Sequence, residues 1–309
     1  MNGVLIIDKP SGKTSYDVIR DVKKLLGTKK VGHAGTLDPL ASGVLVICVN
    51  EATKLAQFFS NDDKDYSATM LLGVRTDTLD TDGKVIERLE PHLQPEKIKD
   101  TVKSFAGRIE QRAPKYSAVK FKGQPLYKWT RRGVDVEPPL RKVDIYTIET
   151  GEIELPHVSF SVSCSKGTYI RSLCADIGDK LGCGACLAGL RRTRSGGFSE
   201  KDAISLENLA EGEKAEVLNK QLIPLTEALP GIVSIEVERH TEDRIRKGYQ
   251  PDKYILTDEN IHLPERGALI KFVTEDNILI AVAKTLFSTE EISLLSGQEP
   301  IVKILRVFN

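Results

Sequence analysis

The sequence predicts an α+β protein: a mixed, mainly antiparallel sheet flanked by helices, followed by a small β-rich module. Three observations predict it. Val18, Ile19, Val22, Leu25 and Leu26 recur at helical spacing, as on one face of an amphipathic helix. Val158, Phe160, Val162 and Cys164 alternate, as in a strand with one face buried. Pro224, Pro230 and Gly231 break the chain, and beyond them come short alternating runs at 268–273, 278–283 and 301–308. The break divides the chain into a large domain, residues 1–228, and a small one, residues 231–309.

Residues 3–8 form a short apolar strand ending in the turn Lys9-Pro10-Ser11-Gly12, and Ser15 is placed to cap a helix that runs to Leu26 and stops at Gly27. Residues 31–43 carry three glycines and a proline and are expected to be an ordered loop. The apolar run 44–49 reads as a buried strand, followed by a short helix over 51–59 and a strand over 64–74 with Tyr66, Ala68, Met70 and Leu72 on one face. A polar turn over 76–83 and an amphipathic helix over 95–107 follow. Residues 111–139 are basic, rich in aromatics and weakly periodic, so they read as a long, partly helical insertion. Strands over 143–148 and 158–164, a helix over 168–181 and a strand over 187–194 complete the large domain. No internal repeat is found.

With 40% hydrophobic residues in a 309-residue chain there is enough apolar surface for a sizeable core. The first ten residues lack a signal peptide's long apolar stretch, and no run approaches the roughly 20 apolar residues of a bilayer span. Five scattered cysteines argue against a disulfide framework. The expectation is a cytoplasmic protein without a membrane partner. Formal charge is zero, with 44 Lys and Arg against 44 Asp and Glu, which by itself disfavours a nucleic-acid partner. The distribution does not. Residues 1–30 hold seven basic and three acidic side chains, net +4, and residues 108–142 hold ten and three, net +7. A neutral protein with one basic face can still hold a polyanion.

Asp38 is the sharpest candidate for chemistry. It precedes Pro39, which pushes its backbone away from helix, and it lies in a glycine-rich loop leading into a buried strand. The residues alone also allow it a purely local role, bonding the loop's own backbone. Arg171, at the start of a helix whose inward side is apolar, could pair with Asp38 and hold it ionised, or pair with Asp176 at the surface. Tyr66 and Tyr169 could be core aromatics or stacking platforms for a base. His33 could be an ordinary loop histidine. Arg191, Arg192 and Arg194 could contact phosphate or end a solvated strand. Cys183-Gly-Ala-Cys186 lacks a second pair at zinc-ligand spacing and reads as coincidence.

Six segments together resemble the TruB-type tRNA pseudouridine synthases. Gly32-His-Ala-Gly-Thr-Leu-Asp-Pro39 is similar to the family's catalytic loop. Lys9-Pro-Ser-Gly-Lys-Thr-Ser15 is similar to its N-terminal signature, and Lys64-Asp-Tyr66 to its K-x-Y. Thr76-Asp-Thr-Leu-Asp-Thr-Asp-Gly83, Pro114-Lys-Tyr-Ser-Ala-Val-Lys120 and Gly167-Thr-Tyr-Ile-Arg-Ser-Leu173 complete the set in family order. The resemblance implies a pseudouridine synthase fold, in which residues 111–139 are an RNA-gripping thumb. By position and strand pattern, the C-terminal module resembles a PUA domain, a small RNA-binding β-barrel. The implied substrate is the T-loop uridine of tRNA, position 55, recognised through the T arm. The implied roles are Asp38 as the essential carboxylate, Tyr66 as the stacking residue and candidate for moving the C5 proton, and Arg171 as the partner of Asp38. Tyr169 and Leu190 would line the uracil pocket and His33 would intrude into the T loop. Lys9 would support the active-site loop at the substrate site. No cofactor or metal and no obligate protein partner is implied, and a monomer is expected. Two alternatives remain at this point: a tRNA-binding folding helper, and a guide-dependent synthase subunit.

Overall fold

The computed structural model describes residues 1–211, 220–255, 263–295 and 299–309. Its centre is a ten-stranded mixed sheet. In chain order the strands are β1 (Gly3–Lys9), β2 (Val31–Ala34), β3 (Ser42–Val49) and β4 (Lys64–Leu72), a separate hairpin β5 (Val74–Thr76) and β6 (Val85–Arg88), and then β7 (Gly107–Arg112). Two short strands, β8 (Lys120–Phe121) and β9 (Gln124–Pro125), pair with each other. The main sheet resumes with β10 (Leu140–Glu154), β11 (His157–Cys164), β12 (Ala185–Ser195), β13 (Phe198–Ser199) and β14 (Ile204–Ser205). Along the sheet the order is β14-β1-β3-β12-β4-β11-β10-β7, with β2 beside β3 and β13 beside β12. Only β1–β14 and β3–β12 are parallel, so the sheet is mixed and mainly antiparallel, as the sequence predicts.

The helices that flank it are α1 (Ser15–Leu26), α2 (Ala56–Phe59), α3 (Pro95–Lys103), α4 (Leu126–Arg131), α5 (Ile170–Leu181) and α6 (Leu206–Glu211). α1 and α6 cover one face of β1 and β3 through Val18, Ile19, Val22 and Leu209, meeting Leu5, Ile7, Leu45 and Ile47. The other face, Val4, Ile6, Val44 and Val46, is covered by Phe59 and by Val273, Leu279, Val282 and Phe308 of the C-terminal strands. A strand buried on both faces reads as a continuous apolar run, which is why 44–49 shows no alternation. α5 and α3 cover the outer half of the sheet through Leu173, Ile177, Ile98 and Val102, against Met70, Ile145, Val158 and Phe160.

Several elements differ from expectation. The cap of α1 is Thr14, not Ser15: the Thr14 hydroxyl accepts from the Asp17 N–H at 3.0 Å, and the Asp17 carboxylate accepts from the Thr14 N–H in return. The stretch expected to be loop throughout begins with β2, because Val31–Ala34 finds an edge to pair with along Ile47–Val49 of β3. The strand expected over 64–74 breaks at Gly73, whose φ of 78° lies in the left-handed region, and the chain resumes as β5 at Val74. Arg239–Arg246 is a helix, α7, within the region read as β-rich.

The C-terminal region forms a four-stranded sheet in the order β15 (Val233–Glu236), β16 (Leu269–Val273), β17 (Leu279–Thr285), β18 (Val302–Val307). It has its own core, including Ile235, Ile245, Phe272 and Ile280. Among the described residues the ladder is open, with no pairing between β15 and β18. No helix of the described residues is long and apolar enough to cross a membrane.

Candidate active site

A cavity of about 290 Å³ opens where β4, β12, the β2–β3 loop, the thumb segment and the start of α5 converge. That is the low end of the size of small-molecule sites, roughly 300–1,000 Å³. Among its lining residues are Asp38, Tyr66, Tyr169, Arg171 and Leu190. Residues as far apart in sequence as Gly35 and Arg192 therefore reach one space.

Asp38 is held by its neighbours in the loop. Leu37, one residue before it, is buried, and both of its backbone polar groups bond to Ser15: the Ser15 hydroxyl donates to the Leu37 carbonyl at 3.0 Å and accepts from the Leu37 N–H at 2.9 Å. On the other side, the Pro39 carbonyl accepts from the Gly12 N–H at 2.8 Å. The Lys9 ammonium donates to the carbonyls of Lys13 at 2.6 Å and Pro10 at 2.9 Å, and reaches that of Pro39 at 3.4 Å. Lys9 is fully buried and does not line the cavity. The structure thus places it beneath the loop and outside the cavity wall. Burial brings its ammonium down to about 8, with the nearby Asp38 charge pulling the other way.

Arg171 is the electrostatic centre. Its Nε lies 2.9 Å from Asp38 Oδ2, with its side chain 6% exposed and that of Asp38 39% exposed. A buried cation therefore fixes a carboxylate that still faces the cavity. The Nε–H is not directed at that oxygen, so the contact is an ion pair and not an aligned hydrogen bond. Its two terminal nitrogens are better placed: Nη1 donates to the Thr78 carbonyl and Nη2 to the Tyr116 carbonyl, each at 2.9 Å. The alternative of a surface Arg171 paired with Asp176 is excluded by this geometry. Asp80 sits behind it, 3.5 Å from Nη1 and buried, and its carboxyl is raised by burial, with Thr78 and Arg171 opposing. The sequence reading did not single out Asp80, although the Thr76–Gly83 motif contains it.

Tyr66 and Arg192 are cross-strand partners on β4 and β12. Burial raises the Tyr66 phenol above its ordinary value, and the Arg192 cation beside it works the other way, so Tyr66 stands as a neutral phenol near pH 7. Arg192 is 1% exposed, donating from Nε to the Val44 carbonyl at 2.7 Å and from Nη2 to the Gly35 carbonyl at 2.8 Å. It is neither a solvated strand end nor a phosphate contact. Arg191 is engaged by Asp8 and Glu200, and Arg194 by Asp65. An alternation count from Leu190, which lines the cavity, would have put Arg192 inward with it.

His33 is not brought into the cavity. It lies on β2 opposite Ile47, and burial, with Arg192 nearby, lowers its pKa so that it is neutral. Cys183 and Cys186 are buried free thiols, as are the other three cysteines. Among the described residues no cluster of His, Cys, Asp or Glu could hold a metal ion.

The thumb is tied to this site at its root. The Gln111 side-chain amide donates to the Tyr169 carbonyl at 3.1 Å and accepts from the Tyr169 N–H at 2.8 Å. Ser172 donates to the Arg112 carbonyl at 2.8 Å. The thumb's small core of Ala113, Val119 and Leu126 packs against Tyr169 itself.

A carboxylate fixed by a buried arginine beside a tyrosine and a leucine, in a cavity on a mixed sheet, has the form of an enzyme's active site. The chain matches the model of the TruB family pseudouridylate synthase N-terminal domain over residues 23–170, and that of the tRNA pseudouridylate synthase B C-terminal domain over 171–230. It is 50% identical to the tRNA pseudouridine synthase B of Syntrophus aciditrophicus, over 100% of this chain and 99% of that protein. It is 40% identical to that of Geobacter sulfurreducens over the full length of both. Among solved structures it is similar to a chain of a Cbf5-Nop10-Gar1 complex, with a TM-score of 0.74 and 31% identity over 99% of this chain and 84% of that one. The chain belongs to the TruB family of pseudouridylate synthases.

Proposed function

We propose that this chain isomerises a uridine of tRNA to pseudouridine, and that the uridine is the one at position 55 in the T loop. The observation that carries the proposal is the Asp38 carboxylate, facing a nucleoside-sized cavity and fixed by the buried Arg171. The names of the full-length relatives support the reaction and the substrate class. Position 55 rests on the resemblance of the loop around Asp38.

The reaction cleaves the N1–C1′ bond, turns the base and joins C5 to C1′, with the C5 proton passing to N1 or solvent. Atoms and electrons balance within the nucleotide. Asp38 acts as nucleophile or as the base for a ribose proton. Tyr66, kept as a phenol, gives the base a flat floor while it turns, and its hydroxyl is a proton carrier of the right type for C5. Tyr169 and Leu190 complete the walls. The target must leave its stack to reach Asp38, and a loop nucleotide does so at lower cost than a paired one. Basic side chains of residues 108–142 bind the backbone phosphates, while the C-terminal sheet acts as a PUA-like second RNA contact. The chain works in the cytoplasm, as a monomer and without a protein partner. Identity is higher to the tRNA pseudouridine synthase B proteins, 40–50%, than to the chains of the H/ACA RNP and Cbf5-Nop10-Gar1 complexes, 28–31%.

The test is conversion of an unmodified tRNA transcript by the purified protein alone, wild type beside Asp38→Asn, with tRNA binding followed in parallel. Wild type is expected to convert the T-loop uridine. The variant should bind equally and lose on the order of 10³-fold or more in rate, the scale of a positioned acid or base. Binding without conversion by wild type would mean a folding helper or a partner-dependent subunit.

A further inference from the structure

Besides the ion-paired Arg171 Nε, one buried polar group on a residue of the cavity wall has no hydrogen-bond partner among the described residues. Ser117 lies in the thumb segment Pro114-Lys-Tyr-Ser-Ala-Val-Lys120, lines the cavity and is 7% exposed. Its Oγ is buried and has no hydrogen-bond partner among the described residues. A buried hydroxyl without a partner is costly enough that native proteins rarely keep one. The backbone around it is held by its own hydrogen bonds. The Lys115 carbonyl accepts from the Thr130 hydroxyl at 3.1 Å and the Tyr116 carbonyl from Arg171 Nη2 at 2.9 Å. The Ser117 carbonyl accepts from the Tyr127 N–H at 3.2 Å and the Val119 carbonyl from the Leu126 N–H at 2.7 Å. The Ser117 backbone is therefore held in place beside the cavity.

Its address is informative. Ser117 follows the residue whose carbonyl orients Arg171, the partner of Asp38. Ser117 and Asp38 thus line the same cavity. We infer that Ser117 is a substrate-binding residue, whose hydroxyl donates a hydrogen bond to an acceptor oxygen of the flipped-out uridine. The inference rests on the function proposed above and extends it to a specificity contact. It also makes the thumb part of the active site proper. The segment that grips RNA through its cations presents Ser117 to the nucleoside in the same movement, so a nucleotide without the matching oxygen loses the contact.

The experiment is kcat/KM on four T-arm stem-loops, bearing uridine, 2-thiouridine, 4-thiouridine or 2′-deoxyuridine at the target, for wild type and Ser117→Ala. On uridine the alanine variant should lose about tenfold, the scale of one hydrogen bond. On the analogue that lacks the accepting oxygen the loss should shrink to about twofold or less. That analogue identifies the atom. The variant's melting temperature should equal or exceed that of wild type, because it removes an unpaired buried hydroxyl. A penalty of equal size on all four substrates, or none on uridine, overturns the inference. Ser117→Cys, nearly isosteric and a weak donor, gives the same comparison if alanine is poorly soluble. Wild type that converts no uridine refutes the function itself, a different result from a missing substrate dependence.

Discussion

Replacing Ser15 by alanine should damage stability and catalysis together, although Ser15 touches no substrate. Its hydroxyl is the sole hydrogen-bond partner seen for both backbone polar groups of Leu37. Leu37 is 3% exposed and packs among Val18, Ile19 and Leu45. Alanine keeps the packing but strands an N–H and a carbonyl in apolar surroundings. Each unsatisfied group costs about 1–3 kcal/mol. Allowing partial relaxation, the pair comes to about 3 kcal/mol. At about 2–3 °C per kcal/mol for a chain of this size, the melting temperature should fall roughly 5–10 °C. Leu37 is also the residue before Asp38, so the loop that aims the carboxylate loosens. Misplacement of a reacting group by an ångström costs on the order of 10²-fold, so kcat should fall ~10–100-fold, with KM little changed because the RNA grip lies elsewhere. Thermal unfolding by circular dichroism and single-turnover pseudouridine formation read the two effects. A melting temperature within about 1 °C of wild type, as for a surface substitution, would refute the argument from stranded polar groups. Lost stability with intact kcat would refute the coupling to Asp38.

Two further outcomes follow from the groups beneath the cavity. Because burial brings Lys9 down to about 8 from its ordinary 10.5, the unfolded chain holds more protons than the folded one between those pH values. Stability contributed at Lys9 must therefore rise with pH in that window. The melting-temperature difference between wild type and Lys9→Met should shift in favour of wild type from pH 7.5 to 10, and a flat or opposite trend would contradict the assignment. Gly43→Ala should prevent proper folding. Gly43 has φ of 96° and pairs with Arg192, so a Cβ there would overlap the Arg192 backbone. Soluble variant protein with wild-type circular dichroism and melting temperature would show that β3 and β12 are less tightly joined than described.

The sheet was legible in the sequence because its two kinds of strand leave two kinds of pattern. β11 buries one face and alternates, whereas β3 buries both and runs continuously apolar. The edges were not legible. β2 is a strand only because β3 offers it a partner, and that partnership lies outside any local window. At the site, Asp38 and its loop stood out through glycine and proline, and Arg171 through the apolar helix that carries it. Arg192 was hidden by its own neighbours. In a run of three arginines the sequence suggested solvent or phosphate, but the strand sends Arg192 inward while Arg191 and Arg194 meet carboxylates outside. Ser15 was seen but given the wrong partner, since Thr14 beside it was the cap and a hydroxyl's tertiary bond has no sequence signature. Asp80 was inside a quoted motif, yet only the fold reveals that Arg171 serves two carboxylates.

The position of the cavity follows from how the cores meet. One core lies under α1 and α6 and another under α3 and α5, and Tyr66 and Leu190 pack against both. The two cores belong to opposite ends of one sheet, joined where β3, β12 and β4 run side by side. At such a seam, side chains find partners on two sides and are held without being sealed from solvent. Tyr66 and Leu190 are accordingly part-buried, while Arg171 and Arg192 are buried outright. The third core, that of the thumb, reaches the seam through Tyr169, which Gln111 clasps by both backbone groups. Two walls of the site are therefore fixed by the sheet, and the third is carried by a segment further anchored at its roots, Arg112 and Pro139, and by its bond from Arg171. That division suits a substrate that must be gripped by its backbone and admitted one base at a time. Under the proposed function, the rigid walls would keep Asp38 and Tyr66 in register for the chemistry, and the thumb, engaged by the RNA's phosphates, would close the remaining side around the nucleotide drawn out.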